Sequence, residues 1–325
     1  MNSKRLWTGL ASFAGMFILI LDSKTALEGA NEGIQLCIKT VIPSLFPFFV
    51  LSNLLTSSLM GLNFLVLKPI GKLFGLSKGT ESLLIPAFLG GYPAGAQSIS
   101  AACAAGQLSK ESAARLLAFC NNAGPAFLFG MMGTLFPSNW YCWALWGIHI
   151  ASAWLVSFLF RCSQTTGVFP CKHKTGIVQS VQSSLSVMVN VCGWIILFRV
   201  FLAFLDRWIL WLFPKTVQVA IFGLLELSNG CCSLFSVESI PVRFLLASVL
   251  LAAGGLCVTM QTASVAKGIS MRYYFLGKTI QVIFSILLSL ALLQPWIFLP
   301  LLWIFIPFLT GKFIKNSRNP AAHGV

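Results

Sequence analysis

Polar and apolar positions divide the chain into long apolar stretches separated by short polar ones. The apolar runs span roughly 6–21, 41–60, 82–104, 113–134, 140–160, 189–213, 217–235, 240–264, 273–293 and 295–311. Each approaches the roughly 20 residues that a helix needs to cross the hydrocarbon core of a bilayer. Residues 25–40 and 176–189 differ from these runs, since they mix small, polar and apolar side chains and lead directly into a strongly apolar span. Both are predicted as amphipathic helices lying at the membrane interface. Two of the apolar runs are interrupted, 82–104 by Gly90-Gly91-Tyr92-Pro93 and 217–235 near Ser228-Asn229-Gly230. Glycine and proline free backbone groups that lipid cannot satisfy, so such breaks have to face protein or a wet cavity.

Composition supports lipid as the solvent. Of the 325 residues, 57% are hydrophobic and 9% charged, where a soluble domain carries about 25% charged residues. The net charge of +14 comes from basic residues in the short loops between apolar runs, and no basic run is interleaved with stacking aromatics. That pattern is a topology signal rather than a nucleic-acid footprint, so no nucleic-acid partner is expected. If every run crossed the membrane, Arg161, Lys172 and Lys174 would lie outside, against the positive-inside rule. Treating the two broken runs as re-entrant hairpins restores the rule, with fifteen Lys and Arg inside and five outside. Eight crossings plus two hairpins follow, with both termini cytoplasmic. Lys4 and Arg5 before the first run resemble a signal-peptide opening, but Asp22-Ser23-Lys24 follow in place of small cleavage-site residues, so a retained span is expected. The ten cysteines form no C-x-x-C pair and read as small buried hydrophobes, with no metal site.

The first amphipathic segment then lies outside and the second inside, so the two halves run in opposite directions. Each reads as amphipathic helix, span, broken segment, second broken span and closing span. Gly124 and Gly147 align with Gly254 and Gly277, each 130 residues on, and Gly95 aligns with Gly230 at 135. The expected fold is an all-α, polytopic transmembrane helical bundle of two inverted-topology repeats. Its parts are an N-terminal span (1–24), a first repeat (25–165), a second, inverted repeat (166–293), and a C-terminal span with a basic tail (294–325). The plainer alternative is a set of ordinary helices without symmetry.

The candidate residues cluster at the breaks. Around the first hairpin tip they are Gly91, Tyr92, Pro93 and Gly95, followed by Gln97. Asn121 and Asn122, with Gly124 and Pro125, put two adjacent amides deep in an apolar run, which is costly unless they bond something. They can hold a solute or glue helices together. Glu226 is the acidic residue well inside a membrane run, with Ser228 and Asn229 beside it. It can bind a proton or Na⁺, or pair statically with Arg199 in the preceding span. Gly254 and Gln261 form the corresponding break of the second half, and His149 and Lys278 occupy similar places in the closing spans. A proton relay or a plain helix–helix hydrogen bond suits His149. No nucleotide-binding, hydrolase or paired-ligand metal motif is found, so neither enzymatic activity nor a cofactor is expected.

These residues also carry a resemblance. Gly90-Gly91-Tyr92-Pro93-Ala94-Gly95-Ala96, Leu108-Ser109-Lys110-Glu111, Arg115-Leu116-Leu117 and Cys120-Asn121-Asn122-Ala123-Gly124-Pro125, with Leu225-Glu226-Leu227-Ser228-Asn229-Gly230 in the second half, are the relevant stretches. They resemble the nucleoside-recognition (Gate) domain membrane proteins, most nearly sporulation integral membrane proteins of the YlbJ type. The resemblance covers about residues 25–290 and implies a bacterial inner-membrane protein needed in spore formation. Combined with the breaks, it leads to the expectation of a transporter-like protein that moves or gates a small polar solute, nucleoside-like or a small anion, with H⁺ or Na⁺ as coupling ion. Further copies of the chain or sporulation membrane proteins are the expected protein partners. The rival expectation is a non-transporting scaffold for spore cortex or coat assembly.

Overall fold

The computed structural model describes residues 3–59, 68–76, 80–160 and 176–296. The basic loop at 161–175 and most of the last apolar run and tail, 297–325, lie outside the described residues.

Every regular element among the described residues is helical. The first is α1 (Ser3–Leu21), which Asp22 separates from α2 (Ser23–Leu36). Asp22 Oδ1 caps α2 by accepting from the Thr25 amide at 3.3 Å. A π-helical turn, Cys37–Val41, then carries α2 into α3 (Ile42–Leu59). After α4 (Lys68–Phe74) comes the first hairpin: a 3₁₀ turn (Glu81–Leu83), a π-helical turn (Pro86–Gly90), a break, and α5 (Ala94–Ala104). Helices α6 (Lys110–Leu117) and α7 (Pro125–Met132) are two parts of one broken span, and α8 (Asn139–Leu159) follows. The second half opens with the long α9 (Ile177–Trp208). Its hairpin is α10 (Lys215–Leu225) and α11 (Leu227–Ser233), broken at Glu226. A second broken span, α12 (Ile240–Ala253) and α13 (Gly255–Val265), leads to α14 (Arg272–Leu293).

Five helical stretches among the described residues are long and apolar enough to cross a membrane: Ser23–Ser58, Asn139–Leu159, Ile177–Trp208, Ile240–Val265 and Arg272–Leu293. The outer surface matches that reading. Phe13, Ile20, Leu51, Val189 and Leu197 are exposed, which suits side chains solvated by lipid tails. Trp140 opens α8 and Trp208 closes α9, both exposed, as at a membrane–water boundary.

The two amphipathic segments are not separate helices, which corrects the sequence reading. The first continues through the π-helical turn into α3, and the second forms the opening turns of α9. The first runs on through Pro43 and Pro47, both inside α3, and the second through Gly193 inside α9, so the breaking residues there do not end either helix.

These two long helices pack antiparallel. Cβ atoms added at Gly29 and Gly33 would meet Val200 and Ile196 backbone at 3.0 and 2.9 Å. Further along, Asn53 Nδ2 donates to the hydroxyls of Ser183 and Ser184 at 3.2 and 3.1 Å. The absence of side chains at the two glycines brings the backbones together. Helices α8 and α14 are also antiparallel: Gln281 reaches the His149 carbonyl, while the Phe160 and Tyr273 rings meet at 5.8 Å. One apolar core lies among α3, α7, α9, α12 and α13. A second gathers around the first hairpin, α6 and the start of α14.

Candidate functional site

The first hairpin turns where only glycine fits. Gly91 has φ +79° and ψ 177°, a region closed to residues with a Cβ. It lies directly on Gly124, since a Cβ at Gly91 would be 3.1 Å from the Gly124 nitrogen and one at Gly124 would be 2.9 Å from Gly91 Cα. Gly95 does the same on the other side, where an added Cβ would collide with the Cys120 carbonyl and meet Ala87 Cα at 3.1 Å. The Tyr92–Pro93 peptide is cis. The glycine contacts place the hairpin tip against the α6–α7 break, with Tyr92 buried.

Tyr92 reaches the other half. Its hydroxyl donates to the Leu251 carbonyl at 2.9 Å, near the end of α12, and accepts from Lys278 Nζ of α14 at 3.3 Å. Lys278 Nζ also lies 5.1 Å from the centre of the Tyr92 ring, in range of a cation–π contact. Gly254, in the left-handed region at φ +72°, closes α12 and opens α13. A Cβ there would lie 3.2 Å from the Tyr92 hydroxyl.

The asparagine pair holds the first break. Asn121 Nδ2 donates to Thr262 Oγ1 at 2.8 Å, and its Oδ1 accepts from the Ala96 amide at 3.4 Å, in the first turn of α5. Asn122 Nδ2 donates to the Phe119 and Ala87 carbonyls at 2.7 and 3.3 Å. Its Oδ1 accepts from Gln281 Nε2 at 3.2 Å. Gln281 Oε1 in turn accepts from Lys278 Nζ at 3.0 Å. His149 Nε2 accepts from the Ala123 amide at 3.1 Å, so in its neutral form the ring carries its proton on Nδ1. Tyr92, Asn122, Lys278 and Gln281 thus form one connected buried network between the halves. Lys278 has no carboxylate within ion-pair distance among the described residues.

The second hairpin breaks at Glu226, which is 2% exposed. Its Oε1 accepts from the Ser228 amide at 3.0 Å, and its Oε2 from the amide and side-chain nitrogens of Asn229, both at 2.7 Å. Gly230 packs on the Gly223 backbone of α10, as Gly95 packs on Ala87 in the first hairpin. A small cavity of about 30 Å³ lies beside this tip, with Tyr92, Glu226, Ser228 and Gln261 as its polar lining. A shallower cleft of about 290 Å³ runs between α13 and α14 past Thr259, Tyr274 and Lys278.

The structure therefore brings Gly91, Tyr92, Gly95, Asn121, Asn122, Gly124, His149, Gly254 and Lys278 together at the first tip. Glu226, Ser228, Asn229 and Gln261 sit at the second, with Tyr92 touching both groups. Pro93 precedes α5 and Pro125 opens α7, each as a helix-start residue. Gln97 lies half-buried in α5, where its amide bonds the Pro93 carbonyl. The expected Arg199–Glu226 pair does not form. Arg199 pairs with Glu32 of α2, because its face of α9 turns toward the Gly29–Gly33 groove. Sequence reasoning missed Gln281. Gln281 had a signal, standing three residues after Lys278 on the same face of an apolar helix.

At the end of the bundle that carries Glu111, polar contacts are ordinary. The Glu111 carboxylate accepts from the Tyr273 hydroxyl at 2.9 Å and from Arg115 Nε at 3.0 Å. These two partners, Tyr273 first, hold it below its usual value of 4.5. Among the described residues no three His, Cys, Asp or Glu side chains gather as a metal site.

The chain is similar along most of its length to the sporulation integral membrane protein YlbJ of Bacillus subtilis (strain 168). The two are 24% identical over 350 aligned positions, covering 91% of this chain and 85% of that protein. No protein-family model matches the chain. No solved structure matches it. An integral-membrane relative and five long apolar helices describe the same object, a multi-pass helical membrane protein.

Proposed function

We propose that the protein is a carrier-like membrane protein that moves or gates a small polar solute, nucleoside-like or a small anion, during spore formation. The observation that carries this reading is the Tyr92 contact. The tip of one hairpin crosses to the break of the other half, where it meets a buried lysine inside an otherwise apolar bundle. Broken helices meeting between two halves are where secondary transporters place their solute. A buried polar network in lipid is expensive and is usually retained for function. The sporulation role comes from the name of the relative.

Two inverted-topology repeats fit the order of elements. Helices α2–α3, the first hairpin, α6–α7 and α8 are answered by α9, the second hairpin, α12–α13 and α14. The pairs α2–α3 with α9 and α8 with α14 run antiparallel, as an axis in the membrane plane requires. We place the protein in the bacterial inner membrane, with eight crossings, two hairpins and cytoplasmic termini. The likeness of its breaks to nucleoside-recognition (Gate) domain proteins belongs to the same reading, as do a coupling ion, H⁺ or Na⁺, and the absence of covalent chemistry.

One observation favours a second reading, a static scaffold for cortex or coat assembly that binds sporulation membrane proteins. The Gly91–Gly124 crossing is tight, and the cavity beside Glu226 has room for about one water. Thermal-shift screening of the purified protein with nucleosides and small dicarboxylates separates the two. The carrier reading expects a compound that raises the melting temperature of wild type but not of Glu226→Gln. If no compound shifts either folded protein, the scaffold reading stands.

A further inference from the structure

The cavity at the second hairpin is lined by a buried carboxyl group without a basic partner. Glu226 is buried, and both its oxygens accept N–H donors, the role of a carboxylate anion. No basic side chain lies within ion-pair distance of it among the described residues. The nearest candidates are engaged elsewhere, Arg199 with Glu32 and Lys278 with Tyr92 and Gln281. The remaining titratable groups around Glu226 are the thiols of Cys37, Cys231, Cys232 and Cys257, which supply no positive charge.

Gln261 gives a second, independent observation. It is 3% exposed and lines the same cavity as Glu226. Its amide nitrogen is turned to Cys257 Sγ at 3.3 Å, and its Oε1 accepts no hydrogen bond among the described residues. The Ser228 hydroxyl lines the cavity as a third oxygen.

We propose that this cavity is a site for one monovalent metal cation, held by the Glu226 carboxylate, Gln261 Oε1 and Ser228 Oγ. The inference rests on the carrier reading and names the coupling ion of that site. One carboxylate neutralises one monovalent charge. A divalent ion would leave one positive charge unneutralised by the single carboxylate. The cavity volume of about 30 Å³ admits one ion of about the size of a water. Because Glu226 also caps the second half-helix and Tyr92 walls the cavity, the ion would tie both hairpin tips together.

The test uses the full-length protein in detergent, unfolding being followed by tryptophan fluorescence. Sodium, potassium, lithium and choline chlorides are compared at one ionic strength and several pH values. The expected result is a saturable rise in melting temperature with a metal cation, sodium as first probe, and none with choline. Gln261→Ala and Ser228→Ala keep the backbone donors of the Glu226 cap, and each raises the half-saturating concentration at least about tenfold. Glu226→Gln abolishes the response; where that variant does not fold, the other two carry the test. A melting temperature that follows pH alone, identical in metal cations and choline, overturns the proposal in favour of a proton on Glu226. One that follows neither overturns it in favour of a trapped water. Solute binding in choline without any metal cation overturns the cation site while leaving the carrier reading intact.

Discussion

Gly91 and Gly95 fix how close the first hairpin tip comes to the α6–α7 break. Gly91→Ala forces a Cβ into a glycine-only backbone region and should cost about 1–3 kcal/mol, read as a lower melting temperature. Gly95→Ala drives a methyl group into the Cys120 carbonyl and is expected to cost a similar 1–3 kcal/mol or so. Gly147, where an added Cβ meets nothing within 4 Å, should accept alanine with no such loss. Gln281→Leu removes the partner shared by Lys278 and Asn122. Each buried group left unpaired costs about 1–3 kcal/mol, so this variant should melt well below wild type. The asparagine pair and the hairpin glycines stood out in the sequence because amides and flexible backbone are anomalous inside an apolar run. The partner of Arg199 did not, since composition along a helix does not set which neighbour its faces meet. Glu32, in a different helix 167 residues away, has no local signature.

At the scale of elements, the breaks were legible and the continuities were not. Glycine and proline announced both hairpins, and Gly254 announced the α12–α13 break by its place in the repeat. The join of α2 to α3 was hidden because a change from amphipathic to fully apolar composition resembles a boundary, and Pro43 and Pro47 just beyond it read as helix breakers although the helix continues through them. The contact between α6 and α14 gives a pH prediction at this scale. Glu111 is held below its usual value of 4.5 by Tyr273 and Arg115. A carboxyl depressed on folding contributes stability that is present above its unfolded value and is lost as pH falls through the folded one. Tyr273→Phe should therefore flatten the acid-side fall in melting temperature below about pH 4.5. The change should be small, because the pair is exposed. A curve that overlays wild type would remove the contact from the account.

For the whole molecule, positive-inside counting reads the ten apolar runs as eight crossings and two hairpins, while among the described residues five helical stretches are long and apolar enough to cross. Impermeant thiol labelling of introduced cysteines should find residues 162–175 on the cytoplasmic side and 214–216 outside, and the reverse at either loop contradicts the topology. How the halves meet was not legible, because hairpin depth and helix facing depend on contacts between distant residues such as Tyr92 and Leu251. The claim that most needs testing is that the site between the halves opens. Ser228→Cys replaces a small side chain that lines the cavity and is 4% exposed. Its labelling by an impermeant thiol reagent can be followed by peptide mass spectrometry in right-side-out and inside-out vesicles. A carrier predicts that Cys at this position is labelled from both faces, with the balance shifting when solute is added. A position that stays unlabelled from either face, in folded protein, would contradict transport and leave a static membrane scaffold.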